Sequence, residues 1–303
     1  DGLQLRDNFV IYKSHSTYLM SLVGGQSVMS IRKIQIESGI LAKDCVKEFE
    51  GKHFIVTDGD IVVFDGMNIQ SVAEKRVRDK IFGSISSEFF FNAYVTRYDV
   101  TDEMWFCYPE TGREYPNIAA VWSFKDNVWT FRALGYAPHM ANGVASFGGS
   151  PFWNDAVGVW DDYVGNWQPL ATNPTVDTLV RIDTTALNVV DETNDIVGVP
   201  LSSSLEKASM DLGDAHRVKF VNKVVPQITA PVGTKVYVRI GVQMEPDQNI
   251  DWKDEQLYTV GQDHHVNVLG KGRYISVKLR TQDLDTTWNC HGLQLYFRGA
   301  GNE

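Results

Sequence analysis

Short apolar segments, each ended by residues that favour tight turns, run through most of this sequence. Residues 53–57 and 61–64 are two such segments, and Asp58-Gly59 lies between them. An Asp-Gly pair tolerates the positive φ angles of a two-residue hairpin turn, so the two segments are predicted to pair as antiparallel strands. Asp65-Gly66 ends the second segment in the same way. The repeated pattern predicts an all-β protein, with these two Asp-Gly pairs as turn-formers.

The composition fits a folded β protein and narrows the classes of function. Hydrophobic residues make up 43 % of the chain, charged residues 22 % and aromatic residues 12 %. Aromatic side chains are enriched in strands, and 303 residues suffice for two domains. The 28 basic and 38 acidic side chains give a net charge of −10. This charge disfavours a protein that binds nucleic acid by neutralising phosphates, and one that docks on anionic lipid.

The three cysteines, Cys45, Cys107 and Cys290, are too few and too far apart for a disulfide framework or a zinc site. We therefore expect no metal and no cofactor. No apolar stretch approaches the roughly 18 residues that a membrane-spanning helix needs, so no membrane anchor is expected. Because the chain starts at Asp1 without an initiator Met, we expect it to be processed or to be the C-terminal part of a longer polypeptide.

Two similar segments each carry a pair of tryptophans seven residues apart around a turn. The first holds Trp122 and Trp129, and the second holds Trp160 and Trp167. A tryptophan beside a hairpin turn can fill the space between neighbouring sheets, so these four are predicted to be packing anchors. The alternative, that they stack on sugar rings, stays open.

Strand segments recur at an interval typical of propeller blades. Segments that begin near Phe9, Phe54, Trp105 and Gly148 are 45, 51 and 43 residues apart. A four-stranded blade needs about 40–50 residues, so residues 1–200 are predicted to form propeller-like blades of antiparallel sheet. Pairs of hairpins in a sandwich are the alternative. A helix is predicted over residues 73–85 and a strand over residues 89–97.

The last hundred residues show a different pattern, strict alternation of apolar and polar side chains. Residues 236–242, 275–279 and 293–297 all alternate in this way, which is typical of strands with one buried face. With segments 218–225 and 265–269 they predict about five strands, and hence a small β-sandwich over residues 201–303. Ser202, Ser203 and Ser204 are predicted to form the connector.

Carboxylates cluster in two segments, and the neighbours His264-His265 and Cys290-His291 offer at most one metal ligand each, so the sequence predicts no enzyme. The candidate acidic residues are Asp161, Asp162, Asp251, Asp254 and Glu255. A glycosidase needs two carboxylates about 5–10 Å apart around a sugar, whereas clustered carboxylates usually form a solvated surface. Neither a phosphate-binding loop nor a Gly-x-Ser-x-Gly nucleophile elbow occurs. We therefore predict no catalytic residue and no metal ligand, and a solvated acidic surface of unassigned orientation.

One block resembles a known family. Residues 103–110 read EMWFCYPE, residues 115–117 read YPN, and residues 121–134 continue as a tryptophan-rich hairpin. This block is similar to the tail nozzle or tail-hub proteins of tailed bacteriophages, also called tail tubular protein B or packaged-DNA stabilisation protein. Shorter matches at residues 51–54, 60–66 and 272–277 follow the same order.

The resemblance implies a structural virion protein of the phage tail, assembled in the host cytoplasm. It implies a homohexameric ring that contacts the neighbouring tail adaptor and tail-tip proteins. Double-stranded DNA would be retained by this ring and then pass through it at ejection, without sequence-specific binding. An acidic conduit suits this role, because like charge keeps DNA mobile. The alternatives are a carbohydrate-binding or glycan-cleaving propeller for host attachment, and a kelch-like interaction scaffold.

Overall fold

The protein is mostly β-sheet. The computed structural model describes residues 1–24, 28–34, 39–146, 175–182, 187–190, 195–196, 199–200, 202–282 and 287–299. Within these residues the strands form several small antiparallel sheets, which confirms the predicted all-β class. The chain divides into two compact units, Asp1–Glu192 and Thr193–Glu303, and each is described by itself.

The first unit contains three successive four-stranded sheets, each an up-and-down antiparallel meander. Blade 1 consists of β1 (Gly2–Leu5), β2 (Asn8–Tyr12), β3 (Thr17–Leu22) and β4 (Met29–Ile34). Blade 2 consists of β5 (Val46–Phe49), β6 (Lys52–Val56), β7 (Ile61–Phe64) and β8 (Ile69–Ser71). The helix α1 (Lys75–Ser84) follows, and then blade 3, made of β9 (Tyr94–Tyr98), β10 (Glu103–Tyr108), β11 (Ile118–Ser123) and β12 (Val128–Ala133).

A fourth sheet, blade 4, continues the series. Its strands, in sheet order, are β13 (Met140–Ser146), β14 (Thr175–Ile182) and β15 (Leu187–Val189). The first strands of the four sheets begin at residues 2, 46, 94 and 140, at intervals of 44, 48 and 46 residues. Each first strand contacts the first strand of the next sheet. Repeated meanders that pack through their first strands are the arrangement of propeller blades, in agreement with the predicted propeller-like blades.

Apolar side chains on both faces of the middle sheets hold the first unit together. In β6, Phe54 and Val56 pack into the cluster shared with blade 3, whereas Ile55 packs into the cluster shared with blade 1. In β10, Phe106 packs toward blade 2 and Trp105 packs toward blade 4. Because neighbouring residues in a strand point to opposite faces, a continuous apolar run buries both faces of its sheet.

The segment between blades 2 and 3 follows the prediction in part. Helix α1 lies within the predicted residues 73–85, and Ile81 is its fully buried contact with the core. The predicted strand over residues 89–97 is wrong at its start, because Phe90–Asn92 is a 3₁₀ helix. The amides of Asn92 and Ala93 donate to the carbonyls three residues earlier, and these local bonds replace strand pairing.

The second unit begins with a short hairpin, β16 (Asp195–Ile196) and β17 (Val199–Pro200). One five-stranded sheet contains β18 (Ser203–Met210), β20 (Lys235–Gln243), β21 (Asp251–Trp252), β22 (Gln256–Thr259) and β24 (Tyr274–Thr281). A three-stranded sheet has the order β23 (Val266–Gly272), β19 (Lys219–Thr229), β25 (Asn289–Gly299). Inward-facing residues of both sheets, among them Val238, Val277 and Val224, share one core. This agrees with the predicted β-sandwich.

Two predictions for the second unit are wrong. Ser203 and Ser204 do not form a connector but begin β18, where they pair with β24 through Thr281 and Arg280. Serine is tolerated there because β18 is an edge strand whose first residues are exposed. Phe297 does not join the core and is 44 % exposed, in a region where a bulge at Asn222 shifts the register between β19 and β25.

The turn between β6 and β7 offers a test of the role assigned to Asp-Gly. Gly59 has a φ of 105°, and an added Cβ would meet nothing within 4 Å. Gly59→Ala should therefore lower the free energy of unfolding by about 1 kcal/mol, through backbone strain alone. Gly83 in α1 also has open space around it, so Gly83→Ala should raise stability by about 0.5–1 kcal/mol. Urea unfolding measures both, and effects of the same sign would contradict the assignment.

Candidate functional site

A stack of aromatic rings joins blades 2 and 3. Trp122 and Trp129 are direct cross-strand neighbours in β11 and β12, with ring centroids 6.2 Å apart and an interplanar angle of 24°. Phe54 of blade 2 stacks on Trp122 at 5.6 Å. Phe49 meets the same indole edge-on at 5.7 Å. Rings from two sheets thus form one continuous contact, in geometries that aromatic pairs prefer.

The Nε1–H donor of each indole has a hydrogen-bond partner in the structure. Trp122 Nε1 donates to the side-chain oxygen of Asn127, in the turn between β11 and β12, at 3.0 Å. Trp129 Nε1 donates to the carbonyl oxygen of Val72 at 3.0 Å. Trp122 is only 5 % exposed, and Trp129 is half-buried. The two rings therefore pack between blades. Trp160 and Trp167 lie outside the described residues.

The opposite face of blade 3 carries a third tryptophan, which the sequence analysis did not single out as a packing residue. Trp105 is fully buried, and its Nε1 donates to Glu103 Oε2 at 3.0 Å. The guanidinium of Arg132 lies 4.9 Å from the ring centroid. The continuous apolar run over residues 104–108 was the available signal, because such a run indicates a strand buried on both faces.

A buried polar network joins blades 1 and 2. His53 is fully buried, its Nε2 lies 2.8 Å from the carbonyl oxygen of Gln4, and its Nδ1 lies 2.7 Å from the Tyr12 hydroxyl. A carbonyl oxygen only accepts, so Nε2 carries the proton and Nδ1 accepts from Tyr12. Burial lowers the pKa of His53 below its ordinary value, although the Gln4 contact and nearby Glu48 act in the opposite direction. The imidazole is therefore neutral in the folded protein near pH 7.

Charged side chains link the first strands of consecutive blades. Arg97 in β9 lies 3.8 Å from Glu48 in β5 and also pairs with Asp99, just after β9. Asp99 in turn accepts a hydrogen bond from Asn142 in β13 at 2.8 Å. These contacts are partly exposed, so each contributes about 1 kcal/mol or less to stability. They link three sheets at their first strands and add little to stability.

The predicted turn residues lie in the two turns of blade 2. Asp58 and Gly59 connect β6 to β7, and Asp65 and Gly66 connect β7 to β8, where Gly66 has a φ of 100°. The Asp65 carboxylate accepts hydrogen bonds from the backbone amides of Asn68 and Met67, which lower its pKa. A carboxylate bonded to backbone amides in this way stabilises its own turn.

Three of the five candidate acidic residues lie within the described part of the chain, and two of these three form ion pairs. Asp251 pairs with Lys253, Glu255 pairs with Arg280 at 2.9 Å, and Asp254 is exposed. Asp161 and Asp162 lie outside the described residues. Two of the three described carboxylates are thus engaged by cations, as in an ordinary solvated surface.

The two buried cysteines, Cys45 and Cys107, have unreactive thiols. Burial raises the pKa of the Cys45 thiol to about 12, and that of Cys107 likewise to about 12. A thiol that stays protonated at neutral pH is a poor nucleophile and a poor metal ligand. In the part of the chain that the structure describes, no three His, Cys, Asp or Glu residues come together to hold a metal ion. None of the described helices is long and apolar enough to cross a membrane.

Comparison of the sequence with protein-family models and with curated proteins finds no match.

The aromatic stack predicts a large effect of Trp129 on stability. Trp129→Ala removes the stacking partner of Trp122 and the hydrogen bond to Val72, and should cost about 3 kcal/mol. Trp129→Phe retains a ring but lacks the donor, so its cost should be about 1 kcal/mol. Denaturant unfolding of both variants measures the difference. A loss below about 1 kcal/mol for the alanine variant would show that the ring does not support the blade contact.

The His53 network predicts acid sensitivity. The pKa of His53 is lower in the folded than in the unfolded chain, so the stability it contributes is present above the unfolded pKa, about 6.5, and is lost as the pH falls below it. The loss can approach about 1.4 kcal/mol per pH unit. Unfolding from pH 8 to 5 should show this extra loss relative to His53→Gln, which keeps a donor and an acceptor without titrating. Parallel pH profiles would contradict the assignment.

Proposed function

We propose that this chain is a non-enzymatic structural protein of a bacteriophage tail, of the nozzle or hub type. The observation that carries the proposal is the block at residues 103–134, whose sequence resembles those proteins. In the fold this block is the hairpin series β10–β11–β12 of blade 3, which supplies tryptophans to the packing on both faces of the sheet. A segment with this much packing is a structural element.

The chemistry of the described residues supports a role without catalysis. The thiols of Cys45 and Cys107 stay protonated, His53 is held neutral between two blades, and most of the described candidate carboxylates are paired with cations. In this proposal the protein forms an assembly, and this assembly surrounds the DNA. The net charge of −10 per chain suits a conduit, because tight phosphate contacts would stop the DNA from moving.

For the tryptophans that the structure describes in blade 3, the same contacts give less support to the sugar-binding alternative. A sugar ring stacks on an exposed aromatic face, and Trp105 and Trp122 have no such face to offer because sheets cover them. Trp129 is half-buried against Trp122 and Phe54.

The proposal is tested by asking where the protein resides and how it assembles. Antibodies against the chain should label the tail of purified phage particles in electron micrographs. Native mass spectrometry of the purified protein should give a closed ring with the mass of six 34.1-kDa chains. Labelling confined to the capsid or to infected-cell extract, with none on tails, would contradict the tail assignment.

DNA binding gives an independent readout of the conduit. Fluorescence anisotropy with a double-stranded DNA fragment should show no saturable binding at about 0.15 M salt, where repulsion from acidic groups acts over about 8 Å. A basic DNA-binding protein of similar mass is the control. Binding that weakens steeply with added salt would indicate phosphate contacts and contradict the proposed role.

A further inference from the structure

One face of the second unit gathers positive charge on a chain whose net charge is −10. It is the side of the three-stranded sheet β23–β19–β25 that points away from the core. Neighbouring residues in a strand point to opposite sides, so the burial of Val221 and Val224 in β19 places Phe220 and Lys223 on this outer side. Its charged, aromatic and most exposed apolar side chains, called here the basic face, are Phe220, Lys223, Leu269, Lys271, Tyr296 and Arg298.

The basic face is organised in two rows that run across the strands. In one row, Phe220 lies between Lys271 of β23 and Arg298 of β25. In the other row, Lys223 lies beside Tyr296 of β25. The guanidinium of Arg298 lies 5.1 Å from the ring centroid of Phe220, and Lys223 Nζ lies 5.0 Å from that of Tyr296. Such cation–π contacts hold the two cations against the sheet without neutralising their charge.

None of the described residues on this side of the sheet is acidic. The outward positions around the two rows hold uncharged residues, among them Val225, Asn267 and Gln294. Within the described part of the chain, the aromatic rings are the partners of Lys223 and Arg298, and neither cation forms an ion pair. Both charges are therefore available to an anionic partner.

The outer side of the five-stranded sheet in the same unit neutralises its cations. Lys278 of β24 pairs with Glu206 of β18 at 3.4 Å, and Arg280 pairs with Glu255 at 2.9 Å. Arg280 also lies 5.1 Å from the ring centroid of Tyr237, so a cation–π contact does not exclude an acidic partner. The basic face differs because its strands supply no carboxylate.

We propose that the basic face binds an acidic, extended segment of a partner protein. The two rows are two residues apart in β25, which is about 7 Å, and residues on one side of an extended peptide have the same spacing. Carboxylates at alternate positions of the segment therefore meet both rows. Because the rings hold Lys223 and Arg298 in place, less side-chain entropy is lost when the carboxylates bind.

Three observations favour a polypeptide over a nucleic acid. Single-stranded nucleic acids stack their bases on exposed aromatic rings, and here the rings of Phe220 and Tyr296 already carry cations. A duplex gains its affinity from many phosphate contacts, whereas this face offers three cations on an acidic chain. Leu269, which is 71 % exposed between the rows, gives the apolar side chains of a polypeptide a further contact.

The inference goes beyond the proposed function and does not rest on it, because it depends on the second unit alone. Tail labelling and the mass of the ring test that function, whereas peptide binding tests the basic face. Either one can therefore fail while the other holds.

A synthetic peptide in which glutamate alternates with serine, labelled with fluorescein, is the probe. Fluorescence anisotropy with the full chain at about 0.05 M salt should show saturable binding that weakens as salt is added. The same peptide with glutamine in place of each glutamate should not bind.

Two double variants locate the binding. Lys223→Gln combined with Arg298→Gln should weaken peptide binding about tenfold, since each partly exposed charge contact contributes about threefold. Lys278→Gln combined with Arg280→Gln makes the same change in net charge on the five-stranded sheet and is the matched control, whose affinity should stay within about twofold of the wild type. Lys223→Arg keeps the charge and should retain binding.

A chain without saturable peptide binding would overturn the proposal, as would equal affinities of the two double variants or of the two peptides. Double-stranded DNA is tested at the same salt. DNA binding that disappears in the Lys223 and Arg298 double variant would assign the face to nucleic acid and would also overturn it. Circular dichroism confirms folding. If that double variant unfolds, Arg298→Gln alone takes its place, with an expected loss of about threefold.

Discussion

The burial of apolar side chains on both faces of a sheet is the constraint on which the first unit depends. A single four-stranded meander cannot bury a core by itself, because each of its faces needs another surface. In β10 the alternation sends Phe106 toward blade 2 and Trp105 toward blade 4, so blade 3 is stable only between two neighbours. Chain order then places consecutive blades side by side.

Polar groups within these interfaces decide how the sheets fit together. A buried donor or acceptor without a partner costs about 1–3 kcal/mol, so only arrangements that satisfy it are stable. The His53 imidazole meets Tyr12 and Gln4 of blade 1, Trp129 meets Val72, and Arg181 meets Leu134. Each bond joins segments that are distant in sequence. Apolar burial thus drives the blades together, and these few bonds select one relative placement.

Local chemistry made part of this fold predictable. Asp58-Gly59 specified a hairpin because the turn residues and both strands are adjacent in the chain, and the alternation at 236–242 specified a strand with one buried face. The stacking of Phe54 on Trp122 was not predictable, because it joins residues on two sheets and depends on the packing of blade against blade. Ser203 looked like a linker because its pairing with Thr281 depends on a strand more than seventy residues away.

The same constraint applies to blade 1. An inner blade satisfies both faces within the chain, so its sequence reports only on folding. In blade 1, β2 has the continuous apolar run of an inner blade, although Phe9, on the face that points away from blade 2, is 38 % exposed. Apolar surface of this kind gains free energy when another surface covers it.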